Sequence, residues 1–209
     1  MTVKLHCFGE SGHSYKVALA LELGPLDWQP IFVDFFNGEA RSEAYRDLNS
    51  MGEAPVLVDG DLTLTQSGVI QAYLSEKTGL FGGDTPQEAR DILRWTLWDN
   101  HKLSSQIGVL RFMMNFLPAE KRSADVIGFL TGRAKSALVI LEAELTQRDW
   151  LVGRSVTNAD LTCCSYLFYP EEYGFTRQDW PAIDAWLARI EALPGWKHPY
   201  ELMQRGFAA

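Results

Sequence analysis

The chain has 209 residues, of which 46% are hydrophobic and 22% are charged, and its formal net charge is −8 at pH 7. This composition supports a folded core, and the acidic balance argues against nucleic-acid binding, which needs a basic face. No segment approaches the roughly 20 apolar residues of a membrane helix, and the N-terminus lacks an apolar signal-peptide core. We therefore expect a cytoplasmic protein that binds neither nucleic acid nor membrane.

The cysteines exclude two further classes of protein. Cys7, Cys163 and Cys164 are too few and too unevenly spaced for a disulfide framework. No C-x-x-C pair occurs and no His/Cys spacing suits zinc, so we expect no metal. Cys163 and Cys164 lie in an apolar run, which predicts two buried thiols on a helix.

The first 79 residues alternate between strand and helix patterns. Strands are expected at residues 3–8, 28–34, 55–59 and 62–65, with helices at residues 14–23, 39–48 and 66–77. Pro30 cannot donate to a sheet ladder, so the second strand is expected at an edge or with a late start. Gly60 and Asp61 predict a hairpin turn, and Gly79 ends the last helix. The predicted order is β-α-β-α-β-β-α.

Residues 79–86 are rich in glycine and proline and read as a linker. Beyond them the pattern predicts helices only, at residues 87–117, 122–148, 157–169, 180–193 and 196–206. An α/β block followed by helices indicates two domains, which we assign to residues 1–79 and 87–209.

Three motifs stand at the ends of these elements. Residues 11–17 read SGHSYKV, residues 49–57 read NSMGEAPVL and precede QSGVIQAYL at 66–74, and residues 155–160 read SVTNAD. In this order they resemble the cytosolic glutathione S-transferase superfamily over nearly the whole chain. The resemblance implies a thioredoxin-like domain that binds glutathione, followed by an all-α C-terminal domain.

Ser11 lies between the first strand and the first helix. A hydroxyl beside a helix N-terminus can donate to a thiolate, and such surroundings lower a thiol pKa from its usual value of about 8.5. The alternative is that Ser11 or Ser14 only caps the helix. Position favours Ser14 as the cap and leaves Ser11 for catalysis, and the resemblance places the active hydroxyl at Ser11.

The second motif is expected to bind glutathione. Most X–Pro bonds are trans, but the resemblance implies a cis Ala54–Pro55 bond that leaves the Ala54 backbone open to an added peptide strand. Ser67 is expected to cap the next helix, whose N-terminus with Gln66 would bind the γ-glutamyl carboxylate. Related proteins more often have Glu at the position of Gln66, and Lys, Gln or Arg at that of Glu53. Glu53 either points to solvent or weakens glutathione binding.

The second substrate is harder to place. The resemblance puts a hydrophobic electrophile between the domains, and the candidates for its pocket are Phe8, His13, Ile107, Arg111, Met114 and Tyr166. Apolar and aromatic residues at helical spacing more often belong to a core.

The function implied by the resemblance is glutathione transfer by a homodimeric detoxification enzyme, with glutathione as co-substrate. Residues 11–17 also resemble the maleylacetoacetate isomerase branch, although His13, Tyr15 and Lys16 depart from its pattern. A glutathione-dependent isomerase and a non-catalytic binding module are therefore the alternatives. Thr157 and Asp160 form a capping-box pattern to which we assign a structural role.

Overall fold

The computed structural model of the chain describes residues 2–207. Its strands and longer helices are, in chain order, β1 (Val3–Cys7), α1 (Gly12–Glu22), β2 (Trp28–Phe32), α2 (Glu43–Leu48), β3 (Val56–Asp59), β4 (Leu62–Thr65), α3 (Ser67–Thr78), α4 (Pro86–Trp98), α5 (Ser104–Asn115), α6 (Ala124–Leu145), α7 (Asn158–Cys163), α8 (Pro181–Glu191) and α9 (Pro199–Leu202). The expected thioredoxin-like α/β domain and all-helical domain are thus confirmed. Within residues 2–207, no helix combines the length and the apolar character that a membrane crossing requires.

The four strands form one mixed sheet in the order β2-β1-β3-β4. β2 runs parallel to β1, and β3 and β4 are each antiparallel to the strand before them in that order. Pro30 lies on β2 at the sheet edge, as its missing N–H predicted. Val3, Leu5 and Cys7 alternate along β1 toward the buried face of the sheet. α1 packs beside α3 in the same unit and is buried along nearly its whole length.

The structure divides into two compact units, one of residues 2–82 with 193–207 and one of residues 83–192. The sequence analysis assigned residues 193–207 to the helical domain, but they belong to the first unit, where α9 packs beside α1. The Gly9 N–H donates to the Gln204 carbonyl at 2.7 Å, and the Tyr15 hydroxyl donates to the Lys197 carbonyl at 2.9 Å. Only α9 is helical in the stretch predicted at 196–206.

The long helix predicted at 87–117 is interrupted. Residues Asp99–Leu103 form a π-helical turn between α4 and α5. The Ser104 hydroxyl donates to the Asp99 carboxylate at 2.7 Å, and both residues are buried. A side-chain bond between residues five apart fits the wider i→i+5 spacing of a π turn, which an apolar pattern cannot reveal.

The predicted capping box begins α7 and belongs to the core of the second unit. The Asp160 carboxylate accepts from the backbone N–H groups of Thr157 and Leu151, both at 2.9 Å, and from the Trp186 indole at 3.0 Å. Burial raises the pKa of this carboxyl, and these donors oppose the rise. α7 ends at Cys163, and a short 3₁₀ helix, Ser165–Phe168, completes the segment predicted as one helix at 157–169.

Candidate active site

Ser11 closes the turn that connects β1 to α1. Its backbone N–H donates to the Phe8 carbonyl at 3.1 Å, and its φ and ψ of −85° and 106° are extended. Its Oγ accepts a hydrogen bond from the Ser14 N–H at 3.1 Å. Ser11 is therefore the N-cap of α1. The assignment of that role to Ser14 is wrong, because the helix begins at Gly12 rather than at residue 14.

Capping leaves the proton of the Ser11 hydroxyl unused. A hydroxyl oxygen can accept one hydrogen bond while its O–H donates another. Among the residues that the structure describes, Ser11 Oγ accepts from Ser14 and donates to none. The Ser14 hydroxyl is fully buried and has no hydrogen-bond partner within residues 2–207. Both hydroxyls thus keep an unused O–H, but Ser14 is 0% exposed whereas Ser11 is 6% exposed, so Ser11 is the more accessible donor of the two.

Glu10, which precedes Ser11, binds the C-terminal segment. Its carboxylate is buried and accepts from the backbone N–H groups of Gly206 at 2.9 Å and Phe207 at 3.0 Å. The Arg205 guanidinium lies 3.5 Å from the same carboxylate. Sequence reasoning missed this contact, because nothing near Glu10 in the chain indicates a partner that lies 196 residues away.

Four phenylalanine rings gather beside this turn. Phe8 and Phe35 stack with their ring centroids 4.7 Å apart and their planes 9° apart. Phe36 meets Phe8 edge-on at 5.9 Å and Phe207 at 5.3 Å. Phe8 is buried, whereas Phe35 is 39% exposed. The cluster forms an apolar, aromatic surface beside the Ser11 turn. Of its four residues, the sequence analysis identified only Phe8.

The second motif is held in place through the carbonyl of Glu53. That oxygen accepts from the Tyr45 hydroxyl at 3.0 Å and from the Asn49 side-chain amide at 2.7 Å. Burial, with the charge of Glu39 as a smaller cause, raises the pKa of Tyr45 to about 12, so its phenol stays a donor at neutral pH. The Ala54–Pro55 bond that follows is cis, as the resemblance implied. In residues 2–207 no backbone hydrogen bond involves Ala54.

Gln66 and Ser67 begin α3, but not in the expected arrangement. Gln66 is the N-cap, with a φ of 66°, and Ser67 is the first helical residue, so the assignment of the cap to Ser67 is wrong. A non-glycine residue at positive φ costs of order 1 kcal/mol or more, and such residues cluster at ligand sites. The Gln66 side-chain amide donates to the Glu53 carboxylate at 3.0 Å and lies 3.4 Å from the Met51 sulfur.

Two titratable groups near Ser11 have pKa values far from neutrality. Burial, together with the charge of Lys16, lowers the pKa of His13 to about 3, so its imidazole is neutral at pH 7. Burial raises the pKa of Cys7 to about 12, so its thiol stays protonated. Near pH 7, His13 is therefore only a weak proton acceptor, and Cys7 is not a thiolate nucleophile.

The second-unit candidates differ in accessibility. Ile107 is fully buried, and Arg111 is 2% exposed. The Arg111 guanidinium pairs with the Glu171 carboxylate at 2.8 Å and lies 3.9 Å from the centre of the Tyr169 ring. Met114 is half-buried.

Tyr166 is buried and lies over Gly108, where a Cβ atom would come within 3.0 Å of its ring. Among the described residues, no group of three or more His, Cys, Asp or Glu side chains could hold a metal ion.

Comparison with known proteins accounts for this arrangement. Residues 1–76 match the glutathione S-transferase N-terminal domain, and residues 103–194 match the glutathione S-transferase C-terminal domain. A probable glutathione S-transferase of Oryza sativa subsp. japonica is 28% identical, over 93% of this chain and 94% of that protein. Maleylacetoacetate isomerase of Pseudomonas aeruginosa is 30% identical, over 87% of each chain.

A solved structure agrees with these matches. The crystal structure of a glutathione S-transferase from Pseudomonas fluorescens superposes with a TM-score of 0.88 at 28% identity, over 95% of this chain and 99% of that one. The two domain matches span most of the sequence, and the likeness extends along the whole fold. The chain therefore belongs to the glutathione S-transferase superfamily and is an enzyme of the transferase type.

Proposed function

We propose that this enzyme activates the thiol of glutathione for attack on a hydrophobic electrophile, with Ser11 as the catalytic residue. The observation that carries the proposal is the unused O–H of Ser11 at the N-cap of α1. A thiolate placed there would accept that hydrogen bond and would also be stabilised by the positive end of the helix dipole. Both effects lower the pKa of the bound thiol, so more of it is ionised at neutral pH.

The chemistry expected at this position is conjugation rather than thiol–disulfide exchange. Exchange through a mixed disulfide of the protein with glutathione would need a protein thiolate next to the glutathione sulfur. The nearest cysteine in the chain, Cys7, is buried on β1 with a pKa raised to about 12. We therefore expect little disulfide reductase activity.

Glutathione would bind along the second motif. The backbone of Ala54, beside Pro55, can pair with an extended tripeptide as an added strand does. The N-terminus of α3, with Gln66 and Ser67, can bind the γ-glutamyl carboxylate through its unpaired N–H groups. The fixed Glu53 carbonyl supports this arrangement, because it anchors the segment that contains Ala54.

The electrophile would contact Phe8 and its aromatic neighbours in the first unit, with His13 at the edge of the turn. In the second unit, Met114 and Tyr166 remain candidates for direct contact. The side chains of Ile107 and Arg111 are buried, so they would support that surface from behind.

A glutathione-dependent isomerase is the second candidate, favoured by the 30% identity to maleylacetoacetate isomerase. Both reactions would use the same activated thiolate. Conjugation of an aromatic chloride forms a C–S bond and releases chloride, whereas isomerisation adds glutathione to the substrate and then releases it unchanged.

The deciding experiment is to measure retention on immobilised glutathione and turnover of an aromatic chloride and of maleylacetoacetate. Retention with turnover of the chloride supports the transferase. Turnover of maleylacetoacetate alone would identify an isomerase, and retention without turnover of either would identify a binding module.

We also propose that the enzyme is a homodimer in the cytoplasm. Val69 on α3 and Leu93 and Leu97 on α4 are each more than half exposed, an arrangement that a second copy of the chain would cover. Sedimentation at micromolar concentration should give twice the chain mass of 23.6 kDa. A single species at the chain mass would exclude the dimer, and cell fractionation would check the compartment.

A further inference from the structure

Glu53 places a negative charge at the start of α3 that forms no ion pair with a cation within residues 2–207. Its carboxylate accepts one hydrogen bond, from the Gln66 side-chain amide at 3.0 Å. Across residues 2–207, Glu53 forms no ion pair with a lysine, an arginine or a histidine. Its side chain is exposed, so a ligand can reach the carboxylate from solvent.

The position of this carboxylate is defined by its surroundings. The Glu53 carbonyl is fixed by Tyr45 and Asn49, and the carboxylate is oriented by Gln66, which is itself the N-cap of α3. Two carboxylates brought together would repel each other, so a purely anionic ligand gains less from the helix N-terminus here than it would without Glu53. A ligand with an ammonium group beside its carboxylate suits both groups of the protein. Its ammonium can pair with the Glu53 carboxylate while its carboxylate binds at the N-terminus of α3.

The γ-glutamyl end of glutathione has this pair of charges, because it retains the α-carboxylate and α-ammonium groups of an amino acid. Gln66 carries no charge of its own and cannot act as a counter-ion to the ammonium. Its amide nitrogen donates to Glu53, and its amide oxygen remains able to accept from an ammonium N–H. The charge that balances the ammonium must then come from Glu53.

We propose that Glu53 binds the α-ammonium group of the γ-glutamyl end of glutathione, with Gln66 as the residue that orients it. The inference rests on the proposed glutathione site and identifies the residue that makes this site selective for a zwitterionic end group. Glu53 then strengthens glutathione binding, instead of weakening it or only facing solvent.

Three thiols and three protein variants test the assignment by isothermal titration. The thiols are glutathione, its analogue without the ammonium (glutaryl-Cys-Gly) and its analogue without the α-carboxylate (4-aminobutanoyl-Cys-Gly). The Glu53→Gln variant should bind glutathione and the 4-aminobutanoyl thiol about fivefold more weakly, as expected for a solvent-accessible charge pair. Its affinity for glutaryl-Cys-Gly should stay the same or rise.

Glu76→Gln is the matched control, because it makes the same substitution at an exposed position on α3 away from its N-terminus. This variant should bind all three thiols as the wild type does, which separates a local contact from a change in net charge. The double variant Glu53→Gln/Gln66→Glu moves the carboxylate to the other member of the pair without changing side-chain size. It should recover most of the glutathione affinity that Glu53→Gln loses.

Two results would overturn the assignment. One is an equal effect of Glu53→Gln on glutathione and on glutaryl-Cys-Gly, since the second has no ammonium to lose. The other is a double variant that binds glutathione no better than the single one. If the wild type binds none of the three thiols, the proposed function fails as well, whereas wild-type binding that Glu53→Gln leaves unchanged refutes only the role of Glu53.

Discussion

The turn at Ser11 and the segment around Arg111 both bury a polar side chain almost completely. They differ in whether that side chain keeps an unused hydrogen-bond donor. Ser11 accepts one hydrogen bond and donates none within the described part of the chain. Arg111 is paired with Glu171, and its guanidinium also lies over the rings of Tyr169 and Phe116. Burial alone therefore does not identify a functional residue. A buried polar group that has an unused donor and keeps some exposure, as Ser11 does and Ser14 does not, is the better indicator.

The largest effect should come from breaking the Arg111 pair. In Arg111→Met, the Glu171 carboxylate loses its partner in a mostly buried position, which costs about 3 kcal/mol in the free energy of unfolding. Chemical denaturation would measure the loss. Glutathione affinity should not change if the role of Arg111 is structural.

Arg94→Met is the control for Arg111, since its pair with Asp91 at 3.4 Å is exposed. It should change stability by less than about 1 kcal/mol. If Arg111→Met leaves stability intact but weakens turnover, Arg111 belongs to the substrate pocket and the comparison with Ser11 fails.

Ser11→Ala tests the other side of the comparison. Losing one donor to a charged sulfur removes about 1.5–3 kcal/mol of stabilisation, or roughly one to two decades in turnover. The apparent pKa of bound glutathione, followed by thiolate absorbance, should rise. Stability should also fall by about 1 kcal/mol, because the cap of α1 is lost.

Ser123→Ala separates these two effects. Ser123 caps α6 by accepting from the Val126 N–H, so its removal should cost stability while turnover is kept. Equal turnover in Ser11→Ala and Ser123→Ala would show that the Ser11 hydroxyl is not the catalytic donor.

Glu10→Gln addresses a buried carboxylate that accepts from two backbone N–H groups and lies 3.5 Å from the Arg205 guanidinium. A neutral amide accepts more weakly than a carboxylate, so we expect a loss of about 1–2 kcal/mol and faster hydrogen exchange at Gly206 and Phe207. Glu201→Gln, an exposed change on α9, should leave exchange at both amides unaltered. Unchanged protection in Glu10→Gln would show that the carboxylate does not hold the segment.

The smallest effect is expected for Ser14→Ala. Its hydroxyl is fully buried without a partner in residues 2–207, so removing it relieves an unsatisfied group. Stability should stay within about 0.5 kcal/mol of wild type or rise, since alanine also favours the helix. A marked loss of turnover in this variant would move the catalytic role from Ser11 to Ser14.

Local residue chemistry was enough to predict much of the first unit. Pro30 indicated the edge strand, Gly60 the hairpin, and Gly79 the end of α3, because each acts through its own backbone. The cis bond at Pro55 followed from resemblance and not from the residues alone.

Two kinds of feature could not be predicted from the sequence. One is a choice between two residues that suit the same role equally well, and the other is a contact between residues that are separated along the chain. Ser11 and Ser14 are both good caps, and only the residue at which α1 begins decides between them. The π turn depends on a bond between Asp99 and Ser104, and the Glu10 contact joins opposite ends of the chain. No local pattern encodes these pairings.

The attachment of residues 193–207 to the first unit has a consequence for the order of synthesis. A chain leaving the ribosome presents residues 2–82 before the whole of the second unit, and residues 193–207 only after it. Until residues 193–207 emerge, the Gly9 N–H, the Glu10 carboxylate and the Tyr15 hydroxyl cannot form their hydrogen bonds to that segment. The turn that holds Ser11 therefore gains these contacts only after translation of the helical unit, although its own residues are made earlier.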